Sequence, residues 1–302
     1  MKKTIIVWSW GQDGTILTKF LKEKEYQVLW IEKNQISVDI LDIEQVNKII
    51  QEVSPNEIYY LAAYHHSSQE KMEENAVLFE KSYEVHVKWY FNFLEAIRRH
   101  HPISRIFYAS SSLIFGNTTT QIQDETTLPS PNSFYGVTKL DGMYLGKIYR
   151  NQYDIFASAW ILYNHESEYR SSKFVFMKVI QGVLDIKNWK SDKLILGNLS
   201  AEVDRGSAYD YVEAMRNILQ TEKADDFIIS SGETHTVQEL VEIAFEYLGM
   251  DWEKYVVEEG GILQRKMGKL YWNHQKITKA LGWKPKMKFK DIVVNTMKIL
   301  QH

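Results

Sequence analysis

The sequence predicts an α/β fold: a Rossmann-type, doubly wound parallel sheet with a smaller C-terminal α/β substrate lobe. Three observations carry that prediction. An apolar run leads straight into a glycine-containing turn and a helical pattern, short β-rich runs then alternate with amphipathic stretches, and the alternation changes character after about residue 165.

The glycine turn comes first. Thr4 to Val7 suit a buried strand, Trp8-Ser9-Trp10-Gly11-Gln12-Asp13-Gly14 follows, and Ile16, Leu17, Phe20 and Leu21 recur at helical spacing. In a βαβ unit, glycines here serve a tight turn, close backbone approach to a pyrophosphate, and close helix-to-strand packing. Gly11 and Gly14 suit the second and third roles, while Trp8 stands in the place of the first. Gly11, Gln12, Asp13 and Gly14 are therefore read as a dinucleotide turn, with the free N–H groups of the helix N-terminus as its anion site. A second strand, Gln27 to Ile31, ends at Glu32, about 20 residues beyond the turn, where an acidic side chain can accept the adenosine ribose hydroxyls. That favours NAD. Lys33 beside it suits a 2′-phosphate and keeps NADP open, and a solvated strand end is the plain alternative for both residues.

Further β-rich runs at Glu57 to Ala62, Arg105 to Ser110 and Phe156 to Leu162 alternate with helical stretches at Ile43 to Val53, Asn75 to Arg99 and Tyr135 to Gln152. This places a dinucleotide-binding domain at 1–163, with a return segment near 200–230. Phe174 to Ile186, Tyr209 to Thr221 and Thr236 to Leu248 then read as helices, and Leu194 to Leu196 as a short strand. Residues 164–302 are accordingly expected to be mainly a substrate lobe covering the strand ends, where open α/β sheets bind ligands.

Composition narrows the function. The 36 basic and 39 acidic residues leave a net charge of −3, so no global field points to nucleic acid or to an anionic membrane, and any phosphate binding must be local. The absence of cysteine removes disulfides, thiol catalysis and cysteine-based metal sites together. No apolar run approaches the ~20 residues of a membrane span, and the expectation is a soluble, cytoplasmic protein. His65-His66, His100-His101 and His165 match no metal-ligand spacing, so no metal site is expected.

Ser111, Tyr135 and Lys139 form the candidate catalytic set. Ser111 follows a predicted strand, and Tyr135 and Lys139 lie four apart on one helical face, where an ammonium can lower the pKa of a phenol. A tyrosine so tuned can exchange a proton with a substrate hydroxyl while hydride passes to nicotinamide. Spacing alone is weak, because a chain with 18 tyrosines produces this pattern by chance about once or twice, and Tyr169 with Lys173 repeats it. Position separates the two pairs. Only Tyr135 opens a helix after a strand that ends in a serine cluster.

These residues also carry a resemblance. Gly11-Gln12-Asp13-Gly14, Glu125-Thr126-Thr127, Tyr135-Gly136 with Lys139-Leu140, Asn164-His165-Glu166-Ser167, Gly197-Asn198-Leu199, Asp210-Tyr211-Val212-Glu213-Ala214-Met215, Ser231-Gly232-Glu233-Thr234-His235 and Leu281-Gly282-Trp283-Lys284-Pro285 resemble, in order along the chain, the GDP-mannose 4,6-dehydratases. These are extended short-chain dehydrogenase/reductases acting on nucleotide sugars. The resemblance implies that Asp39 and Ile40 meet the adenine edge, and that Leu61, Ala62, Ala63 and Leu162 line the nicotinamide side. It also implies that Asn164, Glu166 and Lys178 meet the sugar nucleotide, and that Arg170 lies in a loop reaching a neighbouring subunit. Ser111 would hold the C4 oxygen, Tyr135 would act as acid/base and Lys139 would support it. The implied ligands are NAD or NADP and a GDP-sugar, and the implied assembly is a homo-oligomer, dimer or tetramer. Asp39 as a helix cap, Asn164 and His165 as turn residues, and Lys178 on a solvated helix face are the alternatives.

Departures at six positions stand beside the matches. The glutamate that removes the C5 proton in the family is here Leu113, two residues after Ser111. The arginine expected after the GNL segment is Val203, with Arg205 nearby, and a second expected arginine is Leu263, with Arg265 two residues on. Arg205 and Arg265 are therefore the candidate substitutes for the diphosphate clamp. Trp8 replaces a glycine. Trp89 and Tyr90 stand where the family has small residues, and are expected in a core or in a subunit interface built differently.

Overall fold

The computed structural model describes residues 1–8, 10–31, 39–65, 73–116, 118, 120, 122–260 and 271–301. β1 (Lys3–Val7) feeds α1 (Gln12–Glu23), β2 (Gln27–Ile31), α2 (Ile43–Val53) and β3 (Glu57–Tyr60) in turn. Asp42 caps α2 by accepting the Glu44 N–H at 2.9 Å, and Ser54 ends it in the left-handed conformation, as short polar residues do. Predicted as a strand to Ala62, β3 leaves the ladder two residues sooner, and Leu61 makes a last bond from its N–H to Val7 O at 3.2 Å.

The predicted helix Asn75 to Arg99 is three pieces: α3 (Asn75–Tyr83), a π-helical turn Glu84–Lys88, and α4 (Trp89–His100). Three consecutive residues, Val85, His86 and Val87, are all buried there, although a regular α-helix spreads three neighbours over about 200° of its circumference. The wider turn turns all three inward. π-bulges of this kind concentrate at functional sites.

β4 (Arg105–Ser111) is followed by a 3₁₀ turn Ser112–Ile114, β5 (Ile122–Gln123), α5 (Phe134–Tyr153) and β6 (Phe156–Leu162). α5 begins at Ser133, whose hydroxyl accepts the Gly136 N–H at 3.1 Å, and ends at left-handed Asp154. The chain continues through β7 (His165–Glu166), α6 (Val175–Lys187), β8 (Leu194–Leu196), β9 (Glu202–Asp204), β10 (Gly206–Ser207), α7 (Ala208–Ile218) and β11 (Phe227–Ile229). Predicted to run to Thr221, α7 stops at Ile218. Arg105 Nη1 takes the carbonyls of Leu219 and Thr221 at 2.9 and 2.7 Å, which draws the chain off the helix axis. β12 (Thr234–Thr236), α8 (Val237–Tyr247), β13 (Val256–Glu258), β14 (Tyr271–Trp272), α9 (Gln275–Leu281) and α10 (Phe289–Leu300) complete the chain.

The main sheet is parallel, in the order β11-β6-β4-β3-β1-β2, and the alternation of strand side chains gives it two buried faces. Ile6, Tyr59, Phe107 and Trp160 pack toward α1 and α7; Ile5, Tyr60, Ile106 and Tyr108 pack toward α2 and α4. A third core, built from α6, α8 and α10, belongs to the C-terminal part. Tyr90 is fully buried among Tyr60, Phe93 and Tyr108, and Trp89 packs against the same cluster, so the two aromatic replacements on α4 are core residues. Gly146 on α5 makes room: a Cβ there would lie 2.8 Å from the Tyr90 hydroxyl.

Candidate active site

The C-terminal ends of β3, β4 and β6 meet the start of α5. Ser111 ends β4, in register with Leu162 at the end of β6, and its Oγ accepts the Leu113 N–H at 3.2 Å. The hydroxyl is thus fixed as the cap of a single 3₁₀ turn. α5 begins directly against that turn, which only a glycine permits at 136: a Cβ would stand 2.6 Å from Leu113 O. Tyr135, next to that glycine in the first turn of α5, is half-buried.

Two histidines flank the Tyr135 ring edge-to-face, His65 at 5.1 Å and His86 at 5.0 Å between ring centroids. His86 comes from the π turn and is fully buried. Its Nε2 receives the backbone N–H of Tyr64 at 3.0 Å, so its proton is on Nδ1, 2.8 Å from Thr138 Oγ1. Thr138 in turn donates to Phe134 O at 2.9 Å. Burial, followed by the charges of Lys139 and His65, holds the His86 pKa well below the ordinary histidine value, in keeping with the neutral ring.

Lys139, one turn after Tyr135, is 1% exposed. Its Nζ donates to Ala62 O at 3.2 Å and Ala109 O at 2.8 Å, and stands 5.7 Å from the Tyr135 ring centroid. Burial pushes its pKa down to about 7. Two of the three ammonium donors are engaged by backbone, leaving one for a ligand. Leu61 and Ala62 are buried and Ala63 half-buried beside it, so the expected nicotinamide-side residues gather at this corner with Leu162.

Further along the sheet edge, Gly11 caps α1 with extended backbone (φ −72°, ψ 170°) and, among the described residues, no side-chain cap bond closes the first turn. A Cβ on Gly11 would touch nothing within 4 Å, so the approach to those donors is open. An uncapped helix N-terminus with free approach, together with the remaining Lys139 donor, fits a dinucleotide. Trp8 fills the glycine place with φ 74°, the left-handed region that glycine adopts freely and a tryptophan adopts at about 1–3 kcal/mol. Its indole is 43% exposed and leans on Trp89, 6.4 Å between ring centroids. Asp39 is exposed and accepts the Leu41 N–H at 3.0 Å, a local turn, while α2 is capped by Asp42 instead; Asn92 of α4 ties the turn down by donating to Ile40 O at 2.9 Å. Glu32, Leu263 and Arg265 lie outside the described residues.

Two motifs that are about 150 residues apart in sequence meet here. Gln12 Nε2 donates to His165 O and Gln12 Oε1 accepts from Ser167 Oγ, both at 2.9 Å, and His165 Nε2 bonds the Asp13 carboxylate at 2.9 and 3.0 Å. Asn164 is exposed, its carbonyl accepting the Gly206 N–H at 2.9 Å. Glu166 is buried between Arg205 Nη1 at 2.9 Å and Arg170 Nε at 3.3 Å. Arg205, expected as an open diphosphate clamp, is instead 4% exposed and bonded to Glu166. Arg170 folds back onto its own chain, its guanidinium 3.7 Å from the Phe174 ring centroid. Lys178 on α6 is half-buried and has no side-chain partner among the described residues.

His86, His65, Thr138 and Phe174 escaped the sequence reading. The signal for His86 was present, a polar residue between two valines in the middle of a helical pattern, but only the π turn shows that all three face inward.

The profile of the family described as GDP-mannose 4,6 dehydratase matches residues 9–296. GDP-mannose 4,6 dehydratase 2 of Arabidopsis thaliana is 34% identical over 97% of this chain and 85% of its own length. The GDP-mannose 4,6 dehydratase of Homo sapiens is 33% identical over 94% of this chain and 87% of its own. Among solved structures, RMD from Pseudomonas aeruginosa, complexed with NADPH, superposes with a TM-score of 0.86 at 17% identity over 100% of this chain and 99% of that one.

Proposed function

The chain belongs to the GDP-mannose 4,6-dehydratase family, and on that premise we propose that it is an NAD(P)-dependent enzyme of nucleotide sugars, working at C4 of a GDP-sugar without the family's elimination step. The observation that carries this reading is the Lys139 ammonium over the Tyr135 ring, with the Ser111 hydroxyl fixed by the backbone of Leu113, a residue whose side chain is a hydrocarbon. A bound nicotinamide would supply or take up the hydride. Tyr135 exchanges the proton of the C4 hydroxyl, Ser111 orients that oxygen, and the Lys139 cation favours the phenolate as it forms. Neutral His86 adds no competing charge and braces the ring from the side. Water loss across C5 and C6 needs a base at the C5 proton. Leucine cannot be one, whereas ketone reduction and epimerisation require none there. Lys178, without a side-chain partner among the described residues, is the candidate contact for the substrate phosphates, and exposed Asn164 for the sugar.

A second reading, a partner subunit that binds a sugar nucleotide without turning it over, is favoured by the altered glycine turn at Trp8, the lost base at Leu113 and the altered phosphate clamp at Val203. Mass spectrometry separates the possibilities. GDP-mannose incubated with the protein and NAD or NADP, and the corresponding 4-keto sugar incubated with the reduced cofactor, are followed for product mass. Turnover without loss of water is expected. Water loss at a rate comparable to that of redox turnover overturns the assignment of Leu113, and absence of any turnover, with dinucleotide bound, supports the silent subunit.

A further inference from the structure

The contact between the glycine turn and the segment around His165 holds more than packing requires. His165 is buried, and each of its ring nitrogens faces an acceptor: Nδ1 is 2.8 Å from Tyr163 O, and Nε2 is 2.9 and 3.0 Å from the two Asp13 oxygens. A backbone carbonyl and an ionised carboxylate can only accept, so both nitrogens carry hydrogen and the ring is an imidazolium. The neighbours act in both senses. From α7, Tyr211 stacks on the ring at 4.6 Å and presents a π-face to the cation; from the loop before α6, Arg170 contributes an opposing positive charge. Burial alone would lower the His165 pKa, and the charge and hydrogen bond of Asp13 outweigh it, leaving a net rise; for Asp13, burial alone would raise the pKa, and His165, with smaller help from Arg170 and Gln12, turns that into a net fall.

Asp13 is the acidic residue of the first turn of α1, the end that offers its N–H groups to an anion. An uncompensated carboxylate there would repel the ligand those donors attract. We propose that His165 is a positioning residue for the dinucleotide site: as an imidazolium it pins Asp13, and with it the first turn of α1, to the segment carrying Asn164 and Glu166, and cancels the carboxylate charge beside the anion site. Gln12, bonded on both sides to His165 and Ser167, fixes the same turn in register. The cofactor turn and the substrate segment then form one unit, and the unit titrates. The stabilisation from His165 is complete below its ordinary value of 6.5 and is lost as pH rises through its raised value; that from Asp13 is present above its ordinary value of 3.8 and is lost as pH falls through its lowered one. Between the two the latch is closed.

The inference rests on the dinucleotide reading of the site, and two measurements keep the two apart. In ¹⁵N-histidine NMR of the intact protein, His165 should keep its second proton to a higher pH than an ordinary histidine and lose it earlier in Asp13→Asn. In titrations with NAD and NADP, affinity should fall about tenfold across the deprotonation of His165 in the wild type. In His165→Gln it should be weak and keep only the loss that accompanies deprotonation of Lys139, whose pKa is about 7, and in Asp13→Asn, where there is no charge to cancel, only that loss should remain. A His165 that loses its second proton at or below the ordinary 6.5, or a His165→Gln protein that keeps the wild-type pH dependence, overturns the latch while leaving the cofactor reading standing. A wild type that binds neither dinucleotide at any pH overturns the cofactor reading, and the latch's role with it, even where NMR shows the imidazolium.

Discussion

Around Tyr135, side chains are held by partners from four directions: Lys139 by two backbone carbonyls, His86 by Tyr64 and Thr138, Ser111 by Leu113, and the start of α5 by Gly136. At the end of β1 the turn keeps its helix donors open, Gly11 borders empty space, and Trp8 and Trp10 are 43% and 63% exposed. The two regions share one sheet edge and differ in how a substitution is absorbed. In the packed corner a changed residue must be matched by a neighbour, whereas the open turn takes an indole at the cost of a strained backbone alone. A missing glycine in the turn is therefore weak testimony about the chemistry, and a retained tyrosine in the corner is strong.

Four substitutions would break or sharpen that contrast. Tyr135→Phe removes the proton carrier and keeps the ring between His65 and His86, so C4 redox turnover, followed by nicotinamide absorbance, should fall about 10²–10⁴-fold in a protein that still unfolds cooperatively; retained turnover would remove Tyr135 from the chemistry. Leu113→Glu introduces the absent base. Mass spectrometry should then detect a dehydrated product at about 10²-fold or more over the wild type, and an unchanged product spectrum would show that more than this carboxylate has been lost. Gly142→Ala sets a methyl against the Tyr108 hydroxyl in the packed region, and denaturant unfolding should register a loss of about 1–3 kcal/mol. The smallest effect is expected in the open turn. Trp8→Gly relieves about 1–3 kcal/mol of strain but gives up the Trp89 contact and loosens the unfolded chain, terms of about 0.5–1.5 kcal/mol each, so stability in the same assay should move by no more than about 1 kcal/mol. A loss much larger than that would mean the indole is structural.

Much of this was legible because it is local. The spans of β2, α2 and β6 follow from apolar periodicity, and the Tyr135–Lys139 spacing places both on one face of α5, where the structure has them. What escaped is long-range. Nothing near Arg205 announces that Glu166, 39 residues earlier, will meet it in the interior, so a charge that looked like compensation for Val203 is a buried ion pair. The π turn is invisible to a 3.6-residue period, and the helix Asn75 to Arg99 was accordingly read as continuous. The GQDG and NHES segments were each legible as motifs. That Gln12 and Asp13 would bond His165 and Ser167 depends on how β7 returns past the first turn of α1.

Tyr90 and Gly146 also form a coupled pair. Even a methyl at 146 would press on the Tyr90 hydroxyl, whose ring is seated against Tyr60 and Tyr108. A side chain at 146 and a hydroxyl at 90 exclude each other, so Gly146→Ala should cost stability with Tyr90 present and less in a Tyr90→Phe background.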